Sequence, residues 1–239
     1  MIKNIIKVGL IVMGVLSFLG IEGCVSIDSR IVNIAKPQLE EKYNTEFEVL
    51  SIGNRTDMKT ATMIFEDING IRFTVVVDSE TNEVEDDYIR SIIAHKIGGR
   101  LKKCFEDSNI DICFRTFVIC DDCAQETNTE ISLDDFSKQY NLRQIMVYCA
   151  IDDSSSTEQS LKSTIENLQG ISKEKNIDIS CSAFSLDSTS FAECSEKIEK
   201  AYDINNTWFD QYNPIKNIVF TVNKDTVNPE IEKIINELG

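Results

Sequence analysis

Two periodicities divide this chain. Ile31, Ile34, Ala35, Gln38, Leu39 and Lys42 fall on one side of a helix predicted over residues 31–43, where Pro37 predicts a kink or a start near Lys36. Three strand-like runs follow at 46–52, 60–66 and 71–78. Ile68-Asn69-Gly70 between the last two is a hairpin signal, because Asn-Gly accepts positive φ. From 85 to 105 the apolar positions return at helical spacing: Tyr88, Ile89, Ile92, Ile93, Ile97, Leu101, Cys104 and Phe105. This predicts a long amphipathic helix, interrupted or ended near Gly98-Gly99, and a strand over 110–120 follows it.

Residues 121–132 are polar and form the best candidate boundary. Beyond them helices (132–140, 155–175, 190–204, 228–238) alternate with strands (142–151, 177–186, 215–222). Ser132 with Asp135, Ser155 with Glu158 and Ser190 with Glu193 have capping-box spacing, and Asn228-Pro229 reads as an N-cap with proline in first position. The fold class is therefore α+β: a helix, an antiparallel meander and a long helix, then an alternating half with a mixed sheet. The expected organisation is a leader over 1–24, a subdomain over 30–121 and a second over 132–239. Pairing of 110–120 with 142–151 would join the two in one continuous sheet.

The leader changes the picture most. Lys3 and Lys7 precede Val8–Ile21, fourteen residues without a charge, and Gly23-Cys24 closes the segment. A span needs roughly 20 apolar residues, so this run has the length of an export signal. Ile21-Glu22-Gly23-Cys24 resembles the bacterial lipoprotein cleavage box, with Glu22 departing from it at a position normally small and uncharged. The first expectation is lipid attachment at Cys24; the alternatives are an uncleaved N-terminal membrane helix and release by ordinary cleavage. All three place the body outside the cytoplasmic membrane. A diacylglycerol on Cys24, with palmitate-type chains, gives the two chains that stable anchoring requires.

The chain carries 24 basic and 40 acidic residues; without Lys3, Lys7 and Glu22 these become 22 and 39, a net charge of −17. Such a body is repelled by phosphate backbones, which sets nucleic acid aside. Of eight cysteines, Cys24 belongs to the anchor, and an odd seven remain. Cys149 and Cys181 alternate with apolar residues and Cys194 lies on an apolar helix face, the pattern of buried thiols with one or two bridges.

EEKYNTEFEV (40–49), FTVVVD (73–78) and EDDYI (85–89) give residues 1–105 a resemblance to uncharacterised small exported proteins of clostridia-like Gram-positive bacteria. The resemblance implies a lipoprotein or single-helix anchor, a helix ending in a Tyr-plus-Phe motif, a short meander and an Asp-Tyr-led helix. It transfers no catalytic residue. Physically, Tyr43 and Phe47 would join the helix end to the sheet through two buried rings, and Asp86 or Asp87 would cap the next helix.

One constellation has a chemical shape: Cys120-Asp121-Asp122-Cys123. A C-x-x-C pair is open to four readings, namely loop cysteines, a structural disulfide, a redox pair or a metal site. Zinc wants four ligands, and no second C-x-x-C or cluster of histidines accompanies this pair. A reactive thiolate wants a cation or a helix N-terminus, and two aspartates between the sulfurs act against it. His95, the lone histidine, has no nucleophile motif beside it and reads as a surface helix residue. Three of the acidic pairs (86–87, 134–135, 152–153) sit at predicted helix starts, where carboxylates favour exposed N–H groups. Trp208, Phe209 and Tyr212 read as core in preference to a ligand platform. No cofactor or metal motif is legible. The leading expectation is a non-enzymatic envelope lipoprotein that binds a protein or small ligand outside the membrane. The alternative is an envelope thiol-redox factor using Cys120 and Cys123, or a hydrolytic enzyme.

Overall fold

The computed structural model describes residues 27–55, 59–201 and 204–238. The leader and Cys24 lie outside these residues. Among the described residues no helix is long and apolar enough to cross a membrane.

Helix α1 (Ile27–Tyr43) leads into an antiparallel meander, β1 (Phe47–Arg55), β2 (Thr60–Asp67), β3 (Arg72–Asp78) and β4 (Val84–Asp86). Pro37 sits inside α1 without ending it. The β2–β3 turn forms where Asn69-Gly70 predicts it: Gly70 has φ +79°, and Asp67 accepts hydrogen bonds from the N–H groups of Asn69 (2.9 Å) and Ile71 (2.7 Å). Strict alternation buries Phe73, Val75 and Val77 on one face of β3.

Helix α2 (Tyr88–Asp107) runs unbroken through Gly98-Gly99. The expected interruption is absent because Gly98 is a packing residue: a Cβ there would meet Thr116 Oγ1 at 3.1 Å. The missing side chain lets α2 lie close on β5 (Ile112–Ile119), its most extensive neighbour, while the helix also touches β3.

The second sheet has the order β5-β6-β7-β8-β9, with β6 (Gln144–Asp152), β7 (Asp178–Leu186), β8 (Lys216–Val222) and β9 (Val227–Asn228). β5 pairs antiparallel with β6 over Ile112↔Ile151 to Ile119↔Gln144. β6 and β7 are parallel, and helix α4 (Glu158–Lys175) makes the crossover between them. The pairing across residues 121–132 thus forms, but β5 belongs wholly to this second sheet and the meander stays a separate one. β7 is buried on both faces from Cys181 to Leu186, as a central strand covered by helices requires. One core cluster runs from Phe65 and Phe73 through Ile93 and Leu101 to Ile145 and Ile179, so both sheets share it. A second cluster covers the other face of the five-stranded sheet. There helix α5 (Ser188–Ile198) and a 3₁₀ turn (Asn206–Tyr212) pack Cys194, Ile198, Phe209 and Tyr212 on Cys113, Ala150 and Phe184. Phe209 and Tyr212 are core, as their sequence reads, with Trp208 partly buried against them.

The helix starts follow local hydrogen bonding more than spacing. Ser132 caps α3 (Leu133–Tyr140), accepting from Asp135 N at 3.1 Å. α4 is capped by Thr157 with Ser160, because Ser155 is engaged elsewhere, accepting from Asp111 N at the entry to β5. Asp187, not Ser190, caps α5, since its carboxylate takes the N–H groups of both Thr189 and Ser190. α5 ends at Ile198, six residues earlier than the periodicity suggests. Arg115 Nη1 and Arg72 Nη1 donate to the carbonyls of Glu199 (3.1 Å) and Lys200 (2.8 Å), so arginines from two different sheets terminate the helix. Asn228 pairs in β9, and the last helix, α6, runs from Ile231 to Leu238.

Gly98→Leu is expected to cost about 1–3 kcal/mol by forcing α2 off β5. Gly99→Ala, whose Cβ meets nothing within 4 Å, should stabilise by up to about 1 kcal/mol. Urea unfolding of the two variants reads the contrast.

Candidate functional site

The polar segment after β5 is a tightly held loop. Asp121 N donates to Tyr140 O (2.8 Å), Asp122 accepts from Ala124 N (2.9 Å), and Glu126 N closes a turn on Cys123 O (3.0 Å). Lys96 Nζ reaches the carbonyls of Thr129 (3.3 Å) and Ile131 (2.8 Å) from α2. Glu126 accepts from the Tyr140 hydroxyl of α3 at 2.8 Å. Cys123 and Ile131 reach the main core, so residues that look like a linker fasten α1, α2 and α3 together.

At the head of this loop stands Asp86, whose side chain is 2% exposed. Its Oδ1 accepts from Tyr43 OH (2.6 Å) and Tyr88 N (3.1 Å), and its Oδ2 from Lys42 Nζ (2.8 Å). Lys42 Nζ donates in turn to Ala124 O, one residue beyond Cys123. Asp86 therefore joins the end of α1, the start of α2 and the cysteine loop. Around it Tyr43, Phe47, Phe73 and Tyr88 pack with ring centroids 4.6–6.2 Å apart. Asp87 occupies the N-cap position of α2 but turns to β3, accepting from Thr74 N at 2.6 Å. Burial raises its carboxyl to about 6, with Asp86 adding to the rise and Arg90 opposing it.

One turn into α2, Arg90 faces the thiols of both Cys120 and Cys123, while its buried Nε has no hydrogen-bond partner. The two sulfurs are close enough to act on each other's ionisation. That proximity and Arg90 bring the Cys123 thiol down to about 7, against burial and Asp122. The same proximity and burial push Cys120 far above the ordinary thiol range. The two titrate as a pair: one proton leaves readily and the other is retained between the sulfurs. Cys123 is buried and Cys120 half-buried, so Cys120 borders the surface.

The two aspartates between the sulfurs are drawn away. Asp121 pairs with Arg143 at 3.2 Å and accepts from Asn141, and Asp122 caps Ala124 N. The cation missing from the sequence motif thus comes from Arg90, thirty positions upstream of Cys120. Nothing in the spacing of the chain connects the two. Only the packing of α2 against the loop brings them together.

The other described cysteines contrast with this pair. Burial raises Cys104 to about 11 and drives Cys149 and Cys181 well upward. No disulfide links the seven described cysteines. His95 is exposed on α2, and among the described residues no group of three or more His, Cys, Asp or Glu side chains is placed to hold a metal. A groove of about 680 Å³ opens beside the C-terminal end of α3, bordered by Asn141, Arg143, Lys175 and Lys224, and neither sulfur lines it.

No family model matches the sequence, and no curated protein matches it. Among solved structures, the chain is similar to a DUF5037 family protein from Ruminococcus gnavus ATCC 29149, with a TM-score of 0.57 at 16% identity over 84% of this chain and 96% of that one. The likeness is one of fold, and its source is a clostridia-like bacterium.

Asp86→Ala removes the acceptor of three hydrogen bonds and leaves the buried Tyr43 hydroxyl unpaired, while Lys42 keeps Ala124 O; a loss of about 1–3 kcal/mol is expected in urea unfolding. In Arg90→Met the pH midpoint of Cys123 alkylation, followed by mass spectrometry, should move up by about one unit. Arg90→Lys should hold it near the wild-type value. At pH 7 a thiol near 7 is about half ionised against roughly 3% for an ordinary one, and its lower intrinsic nucleophilicity leaves a net advantage of about threefold.

Proposed function

We propose that this chain is a cell-envelope lipoprotein, held at the external face of the membrane through Cys24, whose ectodomain exchanges disulfides with an envelope partner at Cys120 and Cys123. The leader and the cysteine that closes it support the location. The single observation that carries the chemistry is the Arg90 guanidinium beside the paired thiols. A partner disulfide that reaches the pair past half-buried Cys120 is attacked by the Cys123 thiolate, which forms a mixed disulfide and expels one partner sulfur as thiolate. Cys120 gives up its proton and attacks Cys123 Sγ, which releases the second partner thiolate and leaves a Cys120–Cys123 bond. Two electrons pass to the partner. Each step is reversible, and because Arg90 favours the thiolate it favours the reduced dithiol, so the reverse sense, in which the Cys120–Cys123 disulfide takes two electrons from a partner dithiol, is the favoured one.

A second reading, non-enzymatic partner binding, has its own observation. β9 pairs only with Thr221 and Val222, so residues 217–220 of β8 have no strand beside them on that side among the described residues. Ile215 and Val219, 52% and 54% exposed, flank this open edge.

The full chain in isolated membranes, treated with oxidised glutathione, tests the exchange. Wild type should end as an internal Cys120–Cys123 disulfide. Cys120→Ser should accumulate a glutathione adduct on Cys123, because no resolving thiol remains. An unmodified Cys123 in both would leave only the binding reading. Cys24→Ala should abolish membrane fractionation if the anchor is a lipid; unchanged retention favours an uncleaved helix.

A further inference from the structure

On the far face of the five-stranded sheet a second pair of sulfurs meets. Cys113 on β5 and Cys194 on α5 lie with their Sγ atoms 3.8 Å apart, both buried, from positions 81 residues apart in the chain. This is van der Waals contact between sulfurs, and a disulfide needs about 2.05 Å. A modest side-chain rotation, or a small approach of α5 to the sheet, closes the remaining gap. The surroundings leave room for it: the residue opposite Cys113 on β6 is the small, fully buried Ala150. The neighbouring Tyr212 hydroxyl is also buried there without a partner.

We infer that Cys113 and Cys194 are the two halves of a structural disulfide that fastens α5 to β5, closed during folding by an oxidising disulfide outside the membrane. The first thiolate attacks the oxidant's S–S bond and expels one of its sulfurs. The second thiolate displaces the other from the mixed disulfide. Two protons and two electrons leave the chain, and the oxidant departs as two thiols. The step belongs to folding, before α5 docks, because in the folded protein the Cys194 thiol is raised by its contact with Cys113 and by burial. Bridging positions 81 residues apart constrains the unfolded chain strongly, whereas the Cys120–Cys123 bond closes only a short loop. The two pairs therefore differ in kind: Cys113 and Cys194 are both buried, whereas Cys120 borders the surface and gives its pair a way out to a partner.

The test uses the full chain isolated from its own membranes, with free thiols blocked by iodoacetamide under denaturing conditions before digestion without reductant. A Cys113–Cys194 linked peptide is expected, and it should persist in a Cys120→Ser/Cys123→Ser background, which separates this inference from the proposed exchange function. Reduction should lower the Tm of that background by roughly 10 °C. Cys113→Ser/Cys194→Ser in the same background should melt at the reduced value and no longer respond to reductant. Recovery of Cys113 and Cys194 as alkylated thiols, or either one bridged to Cys149 or Cys181, overturns the inference. So does a linked peptide whose reduction leaves Tm unchanged, since the bond would then fasten nothing.

Discussion

The buried carboxylate of Asp86 is the constraint on which the first half of the molecule depends. Taking an aspartate out of water costs several kcal/mol unless its lone pairs are met, and here a phenol, a peptide N–H and an ammonium meet them. The phenol and the ammonium come from the end of α1 and the peptide N–H from the start of α2. Satisfying one charge thereby fixes how α1 ends, where α2 begins and where the cysteine loop lies, since Lys42 passes the constraint on to Ala124. The aromatic cluster supplies apolar area around this point, but apolar contact is not directional. The carboxylate gives it register.

That dependence explains which parts are legible in the sequence. The meander, the parallel β6–α4–β7 unit and the long helix follow from periodicity, because those residues are decided by which face they bury. Tyr43 and Phe47 are readable as a helix-to-sheet joint, and Asp86 as a residue at a helix start. What periodicity does not encode is a contact between segments far apart in the chain. Gly98-Gly99 reads as a break until β5 lies against it, and residues 121–132 read as a linker until Lys42, Lys96 and Tyr140 hold them down. The cysteine site is the least legible part. Its C-x-x-C spacing is visible and its two aspartates argue against reactivity, but Arg90, brought in by tertiary packing alone, outweighs them.

Seven thiols in one small body are sorted by where the sheet and helices put them. Cys104, Cys149 and Cys181 belong to the shared core and behave as small apolar residues, while Cys113 and Cys194 occupy the opposite face. Cys120 and Cys123 alone sit on a loop, where a cation from a neighbouring helix and a route to the surface coincide. The composition that looks uniform in sequence is partitioned by layer into inert filler, a close buried pair and an activated pair.

The two arginines that end α5 have a wider reach than helix termination. Arg72 belongs to the meander and Arg115 to the second sheet, and both donate to consecutive carbonyls, Glu199 and Lys200. A short surface helix is thus the keystone where the two layers meet. Anything that dislodges it exposes the Cys113 face and, in the same motion, unbuttons the seam between the sheets.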